Sequence, residues 1–401
     1  MLVSRVTNTM LKNTLLGNLS MNLSRMDKLQ NQLASGRKYG HISDDPAALI
    51  YGQAARNKMA RLSHYQATVE TAQSWLTQAE MGVMEVNKVI GAVYEELVSA
   101  GSVKTPDDKK NLAMVVNQLR DHYVDTLNTA YGDRFVFSGY NTPGDNSLGR
   151  PNDGIKPFAI DENGDLLFNG FNISQFDKMP AGLLNLDLLG AADPAAALED
   201  FITTLENPDG SLKYPPPTGM DDFVADFPVF ADADAALDAL MMMQQLKNDL
   251  ISFDVGPAIS MPVTLNGIDL VFYTAKDENT GEPIMRNTFN VLTDVYNAIN
   301  GIAPDDPLTT DELTKMIKTV QDAQNHVLTK TAELGGRQRR LELLDARYSQ
   351  DAINYEQMRS DAEDADMAEV IMYLKMAETV YQAALSAGAR IIQPTLMDFL
   401  R

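Results

Sequence analysis

Apolar residues recur at heptad spacing near both ends of the 401-residue chain, and that pattern is lost between them. In the first segment Leu16, Leu19, Leu23, Met26 and Leu33 alternate at three- and four-residue steps, with Gln30 in the one missing slot. That spacing predicts a helix with a single apolar stripe. In the second, Leu62, Val69, Leu76, Val83, Ile90 and Leu97 are seven apart. Tyr65, Ala72, Ala79, Val86, Val93 and Ala100 each follow three residues later. Six consecutive heptads with both seam positions filled predict one long helix with a coiled-coil seam. Near the other end Leu313, Val320, Val327, Leu334 and Leu341 are seven apart. Val370, Leu374, Ala377, Tyr381, Ala384 and Gly388 then resume the three–four alternation.

Local signals set the ends of these helices. Gly36 and Gly40 break the first, and Asp45-Pro46 is suited to N-cap and open the second. Gly101 closes the second. Thr105-Pro106-Asp107-Asp108 caps a third that runs to roughly Asn128, and Thr309-Thr310-Asp311-Glu312 is a capping box for the C-terminal helix.

The middle is built differently. Fifteen of the eighteen prolines fall between Pro143 and Pro307. Arg134–Tyr140 alternates like a strand. Pro157–Phe171 reads as a hairpin turning at Asn163-Gly164, and Met261–Thr274 as a second turning at Asn266-Gly267. Helical patches are expected near Ala195–Leu205, Asp234–Leu250 and Asn287–Asn300, and Tyr214–Pro217 is a stiff connector. The predicted fold class is α+β: a long antiparallel helical bundle or coiled coil from both termini, with an inserted β-rich domain. The expected division is residues 1–42 with 362–401, residues 43–142 with 302–361, and an acidic domain at 143–301. A second small lobe is expected at about 176–260.

Charge sharpens this division. The net charge is −22, and residues 141–300 carry −18 of it, whereas residues 1–40 count +5. An acidic insert is a poor surface for nucleic acid or an anionic membrane. No run approaches the ~18 apolar residues of a membrane span. No apolar h-region marks a cleaved secretory signal. The first helix is rich in Asn, Ser and Thr, so alone in water it should be only partly ordered.

Chemistry is sparse. The chain has no Cys, which excludes disulfides and thiolate sites. His41, His64, His122 and His326 have no partner at ligand spacing. Asp161, Asn163 and Asp165 start like a calcium loop, but Leu166 and Asn172 stand where Gly and Glu are needed, so a β-turn is expected. Asp232, Asp234 and Asp238 read as a solvated helix edge. No catalytic, metal or cofactor site is predicted, and the chain is not expected to be an enzyme. The stripes themselves allow two readings, a bundle core within one chain or a seam shared between copies. Their length, the paired ends and the opposite net charges of residues 1–40 (+5) and 362–401 (−3) favour sharing. Gly335-Gly336, inside a strong helix, is either a close-packing site or a bend.

Two segments carry a family resemblance. Ala34-Ser35-Gly36-Arg37-Lys38 followed by Ser43-Asp44-Asp45-Pro46-Ala47-Ala48 resembles the N-terminal signature of bacterial flagellins and flagellin-like proteins. Gly132–Thr142, with Phe135-Val136-Phe137-Ser138-Gly139-Tyr140 at its centre, looks specifically like the flagellar hook-associated protein 3 family. Asp107-Asp108, Leu119-Arg120-Asp121 and Asn287-Thr288-Phe289-Asn290-Val291-Leu292 are similar too, as are Glu333–Gln338 and Asp361–Met367 at the other end. The resemblance implies a structural adaptor of the bacterial flagellum. In it a homo-oligomeric ring joins the hook, through hook-associated protein 1, to the flagellin filament. It also implies export through the flagellar type III apparatus with a cytoplasmic chaperone, no cleaved signal and an extracellular position at the hook–filament junction. The stripes Leu16, Leu19, Leu23, Met26, Leu33 and Val370, Leu374, Ala377, Tyr381, Ala384 would then bind neighbouring subunits. A filament subunit, flagellin itself, is the alternative, and the Phe135–Tyr140 motif argues against it.

Overall fold

The structure, a computed structural model, describes residues 8–41, 43–101, 105–132, 134–139, 156–186, 188–191, 193–203, 233–277, 281, 283–300 and 310–392. The Tyr214–Pro217 connector, Tyr140–Thr142, Asp232 and Thr309 lie outside these residues. The chain divides into two units, residues 1–66 with 346–401 and residues 67–345. No helix among the described residues is long and apolar enough to cross a membrane.

The first unit is helical. Helix α1 (Asn8–Ser35) packs antiparallel to α9 (Met367–Ile392), with Leu15 against Gly388 near one end and Arg37 bridged to Asp364 at the other. A Cβ on Gly388 would sit 2.7 Å from Leu15 Cδ2, so the glycine permits this close approach. Leu29, Val370, Leu374 and Ala377 form the buried centre, and Met26, Leu33 and Ala365 pack around it. The start of α2 (Pro46–Ala100) lies beside the end of α8 (Thr310–Glu363): Tyr65 stacks on Tyr348 at 6.2 Å, and Lys58 lies over the Tyr355 ring.

In the second unit the α2 seam is the core the heptads predict. Val69, Leu76, Val83, Ile90 and Leu97 are buried, as are Ala72, Ala79, Val86 and Val93. On α8, Val320, Val327, Leu334 and Leu341 are buried at the predicted spacing. Each such side chain contributes roughly 1.5–3 kcal/mol, so these two stripes are the main apolar investment of the helical part. Helix α3 (Pro106–Leu127) is capped by Thr105, whose hydroxyl accepts the Asp108 N–H.

The insert carries short antiparallel pairs. After β1 (Ala130–Tyr131) and β2 (Arg134–Phe135) come β3 (Phe158–Ile160), β4 (Leu166–Phe168) and β5 (Phe171–Asn172) in one three-stranded sheet. The β3–β4 hairpin turns at Asn163-Gly164 as predicted, and Asp161 Oδ1 accepts the N–H groups of Asn163 and Asp165 at 2.8 Å. This is a β-turn, as expected. Helices α4 (Pro194–Thr203) and α5 (Ala233–Asn248) follow. Strands β6 (Ser252–Gly256) and β7 (Ile259–Pro262) pair next. A short helix α6 (Gly267–Val271) leads into the hairpin β8 (Phe272–Lys276) and β9 (Pro283–Asn287), and α7 (Thr288–Asn300) closes the insert.

Two expectations are corrected. The second hairpin does not turn at Asn266-Gly267. Asn266 instead N-caps α6 through the Ile268 N–H, and the Met261–Thr274 segment is shared between two other hairpins. Nor does Arg134–Tyr140 form one alternating strand. The ladder ends at Phe135 with one further bond, from the Val136 N–H to the Thr129 carbonyl, and Val136, Phe137 and Ser138 are buried in succession.

Candidate functional site

The two helix breaks in the first unit meet in a clasp. The Lys38 N–H donates to the Glu363 carbonyl at 2.7 Å, and the Ala365 N–H donates to the Gly36 carbonyl at 2.8 Å. Lys38 Nζ reaches the Asp361 carbonyl at 2.6 Å. Gly36 sits at φ +69°, the left-handed conformation that ends a helix most easily on glycine. At the centre is Glu363, only 2% exposed, whose carboxylate pairs with Arg56 and lies 3.9 Å from Arg359. Gly52 leaves the room that this carboxylate occupies.

The flanking signature residues are tied into the same turn. Asp44 accepts from Lys28 at 3.0 Å and from the N–H groups of Gly40 and His41. The Lys28 hydrogen bond leads the effects that hold its carboxyl below the usual carboxylate range. Asp45 caps α2 through the Ala48 N–H, and Asp366 caps α9 through those of Ala368 and Glu369.

The terminal stripes fall into two classes. On α9, Val370, Leu374 and Ala377 are buried, and Tyr381 and Ala384 are half-buried on the same side. On α1, Leu19, Met26 and Leu33 are half-buried, whereas Leu16 and Leu23 are 63% and 48% exposed. The side of α1 toward α9 runs through Leu15, Leu19, Asn22, Met26, Leu29 and Leu33. Two three–four frames share Leu19, Met26 and Leu33. The stripe expected from the sequence follows the other frame and omits Leu29. The signal was Gln30, whose polarity broke the chosen frame where Leu29 completed its neighbour.

A large apolar surface stays open. Met10, Leu16, Met21 and Leu23 are exposed on α1; Ile371, Met372, Met376, Val380 and Leu385 are exposed on α9. Large apolar side chains left exposed in this number on two paired helices are candidates for contact with another chain. On α8, nothing lies within 4 Å of a Cβ built on Gly335 or Gly336, so neither glycine is crowded within the chain.

In the second unit the remaining motif residues pack together. The Phe137 ring fills the space above Gly82, where a Cβ would lie 2.8 Å from Phe137 Cε2. The Phe137 carbonyl accepts from the Gly267 N–H at 2.9 Å, and the Ser138 carbonyl accepts from Asn169. Gly139, at φ +66°, turns the chain against Asp249. The Arg120 guanidinium lies 5.5 Å from the Phe289 ring and 5.8 Å from that of Tyr296, joining α3 to α7. Among the described residues no group of acidic and His side chains is placed to hold a metal ion.

Residues 6–142 match the bacterial flagellin N-terminal helical region, and residues 317–400 match the bacterial flagellin C-terminal helical region. Together these cover more than half of the chain. The chain belongs to the bacterial flagellin family. Within this flagellin-family chain, 157 residues are 26% identical to flagellar hook-associated protein 3 of Salmonella typhimurium, covering 35% of the chain and 50% of that protein. Over 185 residues it is 24% identical to flagellar hook-associated protein 3 of Escherichia coli, covering 42% of the chain and 58% of that protein. It thus spans little more than half the length of these curated relatives. Among solved structures it is similar to hook-associated protein 3 of Legionella pneumophila (TM-score 0.48, 10% identity, 77% of this chain and 99% of that one). Another is the flagellar junction protein FlgL of the same species (TM-score 0.41, 15% identity, 79% and 100%). In this flagellin-family chain the clasp draws on residues 36–56 and 359–366, so its first half falls inside the N-terminal family region and its second inside the C-terminal one.

Proposed function

We propose that the protein is a structural adaptor, not an enzyme, that joins the flagellar hook to the flagellin filament. The observation that carries this reading is the match to two curated relatives, both flagellar hook-associated protein 3. The physical support is the open apolar face on α1 and α9, which leaves burial incomplete in a single chain. Neighbouring copies in a ring complete it, with hook-associated protein 1 on one side and flagellin on the other. Residues 1–42 with 362–401 form the inner layer, residues 43–142 with 302–361 the surrounding bundle, and residues 143–301 the acidic outer domain. Folding of the ends is coupled to assembly, so an export chaperone guards them beforehand and the type III apparatus carries the chain out.

Leu16 and Leu23, with Met10 and Met21, contact neighbours directly. Val370, Leu374, Ala377, Tyr381 and Ala384 act with Leu19, Met26 and Leu33 by holding α9 against α1, so that both open faces are presented together. The match to flagellin regions favours one second reading, a filament subunit. Deleting residues 1–30 tests the shared mechanism. The truncated chain should fold as a soluble monomer and fail to restore motile filaments in cells lacking the full chain; restored motility would rule the mechanism out.

A further inference from the structure

Strand β8 has one unused edge. Among the described residues its sheet contains only β8 and β9. The far edge of β9 is engaged, because the Met285 N–H donates to the Met179 carbonyl and the Lys178 N–H donates to the Met285 carbonyl, each at 2.7 Å. Met285 is the register partner of Thr274. Since Met285 directs both backbone groups away from β8, Thr274 directs both of its own away from β9. Lys276, two residues on, does the same. Among the described residues no protein group bonds these outward N–H and C=O groups, and both residues are exposed.

Phe272–Lys276 also line a groove of about 720 Å³, shared with Pro283 and Met285 of β9 and walled on another side by α8. Tyr273 Oη donates to the Thr319 carbonyl at 3.1 Å, which fixes that wall. Lys247, Lys276, Lys318 and Lys330 line the groove against only two acids, Asp269 and Asp322. Lys276 and Lys318 form no ion pair among the described residues. A basic groove is unusual here, because the chain carries −22 overall. An unpaired edge in water is a template for strand addition, and natural proteins normally blunt it.

We propose that the open edge of β8 is a β-addition site for an extended acidic peptide segment of a partner protein. The segment's main chain would bond Thr274 and Lys276, and its carboxylates would face Lys276 and Lys318.

The test is fluorescence anisotropy of the full chain with a labelled, end-capped peptide of alternating Asp and Val. A matched peptide with Lys for Asp, and an Asp peptide N-methylated at alternate residues, serve as controls. The Asp peptide should bind. The Lys peptide should not, and N-methylation should weaken binding by ~tenfold or more, because it removes main-chain donors. Thr274→Pro removes one outward N–H without touching the ladder and should weaken binding similarly, with circular dichroism confirming the fold. The pair Lys276→Glu and Lys318→Glu should abolish it. Three results would overturn the proposal. One is no binding at millimolar peptide. Another is equal binding of the N-methylated peptide, which would leave only unspecific charge attraction. The third is a peptide-free dimer lost on Thr274→Pro, which would assign the edge to a second copy.

Discussion

Arg56→Met should loosen the clasp locally and leave the second unit intact. The substitution keeps the stem of the side chain and removes the guanidinium that pairs with Glu363. Glu363 is 3% exposed at its side chain, so water cannot replace the lost partner, and Arg359 stays 3.9 Å away. Removing one member of a fully buried pair costs about 3–5 kcal/mol. Arg56 is 40% exposed and Arg359 compensates in part, so about 2–3 kcal/mol is expected. Hydrogen exchange reads this directly through the amides of Lys38 and Ala365, which bridge the two halves of the clasp. Where exchange follows local opening, their protection should fall roughly 30- to 150-fold, at about 1.4 kcal/mol per tenfold. Amides of α7 should be unchanged. The double variant Arg56→Met with Glu363→Leu should recover much of the loss, because no charge is then left buried. Unchanged protection in Arg56→Met, or additive losses in the double variant, would refute this account of the clasp.

Leu29→Ala should cost about 2–3 kcal/mol in the first unit by opening a cavity. Leu16→Ser with Leu23→Ser should leave monomer stability within about 0.5 kcal/mol yet abolish motility; equal urea midpoints with normal swimming would remove these leucines from the assembly face. Gly336→Ala should stabilise the monomer by about 1 kcal/mol in urea unfolding, since the helix gains propensity and the Cβ meets nothing. If filament attachment is lost nonetheless, a neighbour packs there or α8 bends there; unchanged stability would contradict the open placement. His326 is half-buried, with Nε2 2.7 Å from the Asp269 carbonyl, and its desolvation pushes its pKa below the usual histidine value. Its neutral form is therefore the folded one, and its contribution is complete above about pH 6.5 and lost as pH falls toward the lower folded value. His326→Gln should show a shallower loss of urea stability from pH 7.5 to 5.5 than the parent; parallel curves would contradict it.

The long helices were legible because their burial repeats locally. Val69, Leu76, Val83, Ile90 and Leu97 all reach the core that their spacing predicts. The Asn163-Gly164 turn was legible because Asp161 and its neighbours supply the turn's own hydrogen bonds. The same dipeptide at Asn266-Gly267 misled, because Asn caps helices as readily as it enters turns. Gly267 is needed there for space beside Phe158 and the Phe137 carbonyl, which no local pattern reveals. On α1 two frames coincide at three residues, so spacing alone could not say which faces α9. The clasp was hidden for another reason: Arg56 and Glu363 are 307 residues apart, and neither residue stands out by itself.

Immunogold labelling of intact flagella with an antibody to the acidic insert tests the central claim most directly. An adaptor predicts gold confined to the boundary between hook and filament, with none along the filament shaft. Gold distributed along the shaft would contradict the adaptor and make this chain a filament subunit.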